Sequence, residues 1–185
     1  RTAAAVIGVT GSQGKTGVKG LLAHVLEATG PTIAPAGSLN NELGVPLTVL
    51  RSNAATRFLI VEMGARGVGH IADLCAIASP VVGVVLNVGS AHVGEFGSAE
   101  VIAQAKGELV ESLPSDGVAV LNADDPLVSA MASRTSARVL TFGNAGDVTL
   151  GTVTLDAFGQ PHFTLSHDGT TVASHVPQIG EHHAM

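Results

Sequence analysis

The 185-residue chain contains no tryptophan, no tyrosine and a single cysteine, and only 13% of its residues are charged. Each shortage excludes something. Without Trp and Tyr most base-stacking surface is missing, and a formal net charge of -6 leaves no basic footprint, so a nucleic-acid partner is not expected. One cysteine, Cys75, cannot close an internal disulfide, which fits a reducing cytoplasm. Its neighbours Ile71, Leu74 and Ala78 make it a packed core thiol rather than a nucleophile. No apolar run approaches the ~18 to 20 residues of a membrane span, so no membrane partner is expected. The low charge does not imply disorder, because apolar residues make up 45% of the chain. This length suffices for one domain that buries roughly 70% of its unfolded surface. The chain starts at Arg1 and stops where a helix is about to begin after Gly180, so it is expected to be the central piece of a longer enzyme.

What the chain does have is a glycine-rich turn, Thr10-Gly11-Ser12-Gln13-Gly14-Lys15-Thr16, directly after an apolar stretch and before a helical pattern. A triphosphate needs glycines that let backbone N–H groups close in, a lysine, and a hydroxyl for magnesium. Gly11 and Gly14, Lys15, and Thr16 supply these in turn, and a helix starting near Lys15 would add the positive end of its dipole. The spacing is G-x-x-G-K-T, since Val9 stands where the strict Walker pattern has glycine. An ordinary glycine-rich turn is the competing reading.

Short β-rich runs alternate with helical patterns, the sign of a parallel sheet covered by helices. Strands are predicted over 4–9, 57–63, 81–87, 117–121 and 138–142, most nearly continuous in Val, Ile and Leu, as expected when both faces are buried. Val18, Leu21, Leu22, Val25 and Leu26 form one helical stripe that Gly30 ends, and further helices are predicted over 69–78, 98–113 and 126–133. Residues 32–46, rich in Pro, Gly and Asn, read as a functional loop. Over 147–176 the pattern changes to apolar alternation, which predicts a small antiparallel extension. The expected fold class is therefore α/β, a three-layer P-loop-type domain with a mostly parallel sheet plus an antiparallel appendix.

Open parallel sheets bind ligands beyond their carboxyl edges, so polar residues at strand ends are the candidates for chemistry. Glu62 ends one strand; it is either a magnesium ligand or the partner of a nearby arginine such as Arg66. His92 follows the next strand and is either a ligand in the same crevice or a structural histidine. Lys106 has Ile102, Ala103, Leu109 and Val110 at helical spacing and no acid along its helix. It is either a lysine of lowered pKa that takes up carbon dioxide, or one whose stem covers apolar surface while its ammonium reaches water. Asp124 and Asp125 either cap the next helix or reach a nucleotide's ribose or base. Asn122 and Asp125 match the ends of the guanine-reading N-K-x-D motif, but Ala123 replaces its lysine, which weakens a GTPase reading.

Together, T-G-S-Q-G-K-T at 10–16, N-N-E-L-G-V-P-L-T at 40–48, V-E-M-G-A at 61–65, N-V-G-S-A-H at 87–92, E-F-G-S at 95–98, A-K-G-E at 105–108 and L-N-A-D-D-P at 121–126 resemble the central ATPase domain of the Mur ligases across nearly the whole chain. The Asn40-Asn41 loop and the E-M-G-A segment at 62–65 resemble the member that adds D-alanyl-D-alanine to UDP-N-acetylmuramoyl-tripeptide. The resemblance implies an ADP-forming amide ligase of bacterial peptidoglycan synthesis, cytoplasmic and monomeric, acting through an acyl phosphate. It implies that Thr10, Gly11, Ser12, Gln13, Gly14, Lys15 and Thr16 hold ATP, and that Thr16 and Glu62 serve one Mg2+. His92 and a carbamylated Lys106 would serve a second, with Lys15, His92 and Lys106 catalytic and Asn40 and Asn41 on the acyl-substrate side. Residues 1–185 would be the ATP-binding domain, lacking an N-terminal domain for the uridine nucleotide and a C-terminal domain, and inactive in full ligation alone. One departure is Gly180-Glu181-His182-His183, where the family has G-x-H-N with its asparagine near adenine. The competing functions are another Mur-type or folylpolyglutamate synthase-like ligase, and a P-loop regulatory module.

Overall fold

The computed structural model describes residues 3–89 and 98–180. Six parallel strands run in the order β2-β3-β1-β4-β5-β6: β1 (Ala5–Thr10), β2 (Thr32–Ile33), β3 (Phe58–Glu62), β4 (Val82–Val85), β5 (Val118–Asn122) and β6 (Arg138–Phe142). The connections are α1 (Lys15–Glu27), α2 (Gly44–Leu50), α3 (His70–Ala78), α4 (Ala99–Glu111) and α5 (Pro126–Ser129), the last continuing into a 3-10 turn over Ala130–Arg134. A small antiparallel sheet follows, made of β7 (Thr149–Leu150), β8 (Thr154–Leu155), β9 (Pro161–His167) and β10 (Thr170–His175). Among the described residues, no helix is long and apolar enough to cross a membrane.

Side-chain alternation sorts the strands between two cores. Ile7, Val9, Ile60, Val84 and Leu86 face the α1 layer with Val18, Leu22 and Leu26. Leu59, Val61, Met63 and Val85 face the opposite layer, with Ile71 and Leu74 of α3 and Leu109 and Val110 of α4. Burial on both faces explains why β1, β3 and β4 read as nearly continuous apolar runs. Cys75 belongs to the second core, with its thiol 3.7 Å from the Met63 sulfur; burial pushes it up to about 11, so it stays protonated at neutral pH.

Two elements differ from the expected loop over 32–46. β2 extends the sheet by an edge strand of two residues, too short between Pro31 and Pro35 to show alternation. α2 begins at Gly44 and accommodates Pro46 within its first turn, where a missing N–H breaks no intrahelical bond. Gly and Pro there look like helix breakers but occupy the one turn that tolerates them.

α4 lies close over β1 and β4. A Cβ placed on Gly8 would sit 2.8 Å from Leu109 Cδ1, so glycine is what lets the helix approach. Leu109→Ala is expected to destabilise the protein by about 2–5 kcal/mol, and Gly8→Ala by about 1–3 kcal/mol. In urea unfolding the Gly8→Ala penalty should shrink in the Leu109→Ala background; equal penalties in both would contradict this packing.

Candidate functional site

The glycine turn leaves β1, which lies between β3 and β4; the chain passes from β1 to β2 on one side and later crosses from β3 to β4 on the other. That is the crevice where open α/β sheets take ligands. Gly14, the α1 N-cap, is left-handed at φ 80°, and no side chain caps the helix, so its first N–H groups face the turn. Asn87, just beyond β4, clamps the turn: its Oδ1 accepts from Ser12 N at 3.0 Å and Gln13 N at 2.9 Å, while Gly89 N donates to Ser12 Oγ at 2.9 Å. Lys15 Nζ donates to Gly11 O at 2.7 Å and Ser12 O at 3.4 Å. Thr10 is fully buried and its hydroxyl donates to Met63 O, so it joins strand ends instead of facing the crevice.

Glu62 shares the α1 face of β3 with Ile60, two residues earlier, and is 1% exposed. Thr16 Oγ1 donates to its Oε2 at 3.0 Å and Asn40 Nδ2 to its Oε1 at 2.8 Å. Arg66 instead lies 3.8 Å from Glu42 on the surface, so the arginine alternative for Glu62 is replaced by a hydroxyl and an amide. Asn41 turns its Oδ1 to the start of α2, accepting from Gly44 N at 2.9 Å.

A cavity of about 640 Å³ opens at the turn, lined by Gly11, Ser12, Lys15, Asn40, Asn41 and Lys106 among others, with Arg66, His70 and Asp73 also in its wall. Lys106 reaches it from α4 and is 5% exposed. Burial first, and the charge of Lys15 second, lower its pKa from 10.5 to about 8. Burial likewise lowers the pKa of Lys15, which the Glu62 carboxylate opposes. The structure therefore favours the desolvated alternative for Lys106 over a solvent-reaching ammonium. His92 lies outside the described residues.

Asp125 caps α5 through Leu127 N and Val128 N, and its other oxygen accepts from Val88 N at 2.7 Å. Asp124 binds Asn144 N and Nδ2 in the turn after β6. Three residues of the site region were not singled out by sequence reasoning: Asn87, Lys19 and Glu108. Glu108 accepts from Gly69 N at 2.5 Å and Ala72 N at 3.0 Å, so α4 caps α3 from two residues beyond Lys106. For Lys19 a signal existed, since two lysines at i and i+4 repel unless each has a partner elsewhere.

A glycine turn between the central strand of an all-parallel sheet and an uncapped helix, with a buried carboxylate ending the adjacent strand, defines a P-loop-type α/β domain. Residues 9–185 match the Mur ligase middle domain, and the chain belongs to the Mur ligase family. It is 57% identical over 166 residues to UDP-N-acetylmuramoyl-tripeptide–D-alanyl-D-alanine ligase of Mycobacterium tuberculosis (strain ATCC 25618 / H37Rv), covering 88% of this chain and 32% of that protein. Among solved structures, MurF from Acinetobacter baumannii (crystal structure II) superposes with a TM-score of 0.91 at 33% identity, covering 98% of this chain and 40% of that one. MurF ligase from Thermotoga maritima in complex with ADP gives 0.84 at 34% identity, covering 94% and 40%. The chain thus spans about a third of the length of the curated relatives it matches.

Between about 8 and 10.5 the folded protein binds fewer protons at Lys106 than the unfolded chain does. This amine's contribution to stability therefore rises with pH across that window and is least favourable below 8. In nucleotide-free and metal-free protein, NMR titration of Lys106 Nζ should show a midpoint near 8, and Lys106→Met should remove this pH dependence. A midpoint at the ordinary lysine value of 10.5 would contradict the burial argument.

Proposed function

We propose that this chain is the central ATP-binding domain of an amide ligase that joins D-alanyl-D-alanine to UDP-N-acetylmuramoyl-tripeptide in peptidoglycan synthesis. The observation that carries the reading is the convergence of the clamped glycine turn, the Thr16–Glu62 pair and desolvated Lys106 at one rim of the sheet. The identity to the mycobacterial ligase supports the D-alanyl-D-alanine-adding member. In the full enzyme, a monomer of the cytoplasm, the uridine nucleotide domain precedes residues 1–185 and a closing C-terminal domain follows.

ATP, the phosphoryl donor, lies with its triphosphate over residues 10–16. The first N–H groups of α1 face its oxygens, since those of Ser12 and Gln13 are held by Asn87, and Lys15 exchanges the carbonyls of Gly11 and Ser12 for the outer phosphates. The donor set fits magnesium: a buried carboxylate and a hydroxyl 3.0 Å apart are hard oxygen ligands, and Glu62 has no arginine or lysine in ion-pair contact among the described residues. When bound, Mg2+ neutralises charge on the transferring phosphoryl group. Asn41 and the cavity wall face the tripeptide's terminal carboxylate. That carboxylate takes the γ-phosphoryl group as ADP leaves; the dipeptide amine then attacks the acyl carbon, forms the amide, loses a proton and expels phosphate.

Lys106 acts as a carbamate in this scheme. Its depressed pKa supplies neutral amine, which adds carbon dioxide and releases a proton. The product is an anion, so repulsion by Lys15 becomes attraction, and the carbamate would hold a second Mg2+, for which His92 is the other proposed ligand. Alone, residues 1–185 cannot orient both substrates, and orientation contributes on the order of 7–11 kcal/mol. The isolated domain should not complete ligation.

Full-length protein should release ADP and phosphate with the UDP-linked tripeptide and D-alanyl-D-alanine, but not with single amino acids; the reverse preference would assign a different ligase. Lys15→Ala should lower turnover by roughly 10²–10³-fold, as for other transition-state charge stabilisers, and near-normal turnover would refute its role. Lys106→Ala should be inactive and regain activity with short-chain carboxylic acids, whereas full activity without them would exclude the carbamate.

A further inference from the structure

Lys19 is a buried cation that the proposed chemistry does not use. It lies one turn beyond Lys15 on α1 and is 6% exposed. Its Nζ donates to Pro35 O at 2.9 Å and Gly37 O at 2.6 Å. An ammonium is costly to bury unless its donors are met, and here two backbone carbonyls meet them. Both carbonyls belong to the segment 34–43 between β2 and α2, whose near end is also held by Arg51 Nη1 on Ala34 O at 2.9 Å.

The far end of that segment carries Asn40. Its backbone O accepts from Gly64 N at 2.8 Å, and its Nδ2 donates to Glu62 Oε1 at 2.8 Å. The other carboxylate oxygen, Oε2, accepts from Thr16 Oγ1. The contacts therefore form a closed ring that leaves α1 at Thr16, passes through Glu62, Asn40 and the 35–37 backbone, and returns to α1 at Lys19. Thr16 and Lys19 are three residues apart, on one face of the helix. Remove Lys19, and the 35–37 carbonyls lose their tie to the helix that presents Thr16.

We infer that Lys19 is a positioning residue for the divalent cation. It fixes segment 34–43 against α1 so that Asn40 holds one oxygen of Glu62 and leaves the other beside the Thr16 hydroxyl. This rests on the reading of Glu62 and Thr16 as the magnesium pair. Partners that orient a metal ligand are typically worth about 10–100-fold in metal affinity.

The test is Mn2+ binding to full-length protein, read by electron paramagnetic resonance in the presence of a non-hydrolysable ATP analogue. Lys19→Met should weaken Mn2+ about 10–100-fold and leave metal-free binding of the analogue unchanged. Lys19→Arg, whose guanidinium can span the same two carbonyls, should restore the affinity. The double variant Lys19→Met/Asn40→Ala should bind no more weakly than either single variant, because both break one ring. Unchanged Mn2+ affinity in Lys19→Met, or losses that multiply in the double variant, would overturn the inference. Should Lys19→Met not fold, Asn40→Ala carries the test, and wild-type Mn2+ affinity in it breaks the relay. Glu62→Gln is the separate control: if it binds Mn2+ like wild type, the magnesium pair itself is wrong and the Lys19 role falls with it.

Discussion

The carboxylate of Glu62, buried at the end of β3, is the constraint around which the site is arranged. A charge withdrawn from water in this way is tolerable only where its oxygens are hydrogen-bonded and a positive potential is near. Thr16 and Asn40 meet the oxygens, and Lys15 supplies the potential. These residues come from α1 and from the segment between β2 and α2, so satisfying one carboxylate brings together parts of the chain distant in sequence. Strand alternation decides which parts. Had the register of β3 slipped by one residue, Glu62 would face α3 and α4, where Met63 and Ile71 pack, and Thr16 would be out of reach.

Three lysines, 15, 19 and 106, gather around this rim, and each meets the cost of like charge differently. Lys15 folds onto the carbonyls of its own turn, and Lys19 onto those of Pro35 and Gly37. Lys106 has no hydrogen-bond acceptor for its Nζ among the described residues, and its pKa falls instead. An arriving triphosphate would relieve Lys15, and a carbamate would relieve Lys106; neither would relieve Lys19, whose partners are backbone. That separates the two lysines that face the cavity from the one that holds the wall.

The sheet and its helices were legible because burial on both faces makes β1, β3 and β4 nearly continuous apolar runs, and because α1 and α4 show an apolar stripe. The glycine turn was legible because its residue types have few other uses in that order. What sequence hid was set by tertiary partners. β2 is a strand only because β3 offers it an edge, and α2 starts at a glycine and a proline because Asn41 caps it and its first turn needs no N–H. Glu62 was recognisable as a carboxylate in an apolar strand, yet the choice between arginine, hydroxyl and amide partners depended on which layer it faced. Asn87 opens the N-V-G-S-A-H motif, yet its partner was not readable there, since it binds a turn 74 residues away.

The rim is stitched from strand to strand by single side chains acting on backbone. Asn87, after β4, holds the turn after β1; Asn122, ending β5, donates to Leu86 O at 2.9 Å; Asp125 accepts from Val88 N; and Asp124 holds Asn144 after β6. Each tie joins a loop to its neighbour in sheet order, so the row β1-β4-β5-β6 sets the loops as a series and not as independent segments. On the other side of β1, Thr10 donates to Met63 O, and a second tie runs through Glu62 and Asn40 to a segment braced by Lys19. Such a difference has a physical consequence for phosphoryl transfer, where positioning and fixed dipoles do most of the work. The side that carries the glycine turn is held by several bonds that do not require a ligand. The side that presents the Glu62 carboxylate leans on the ring through Asn40 and Lys19, and is therefore where a substitution remote from the glycine turn can still shift the carboxylate.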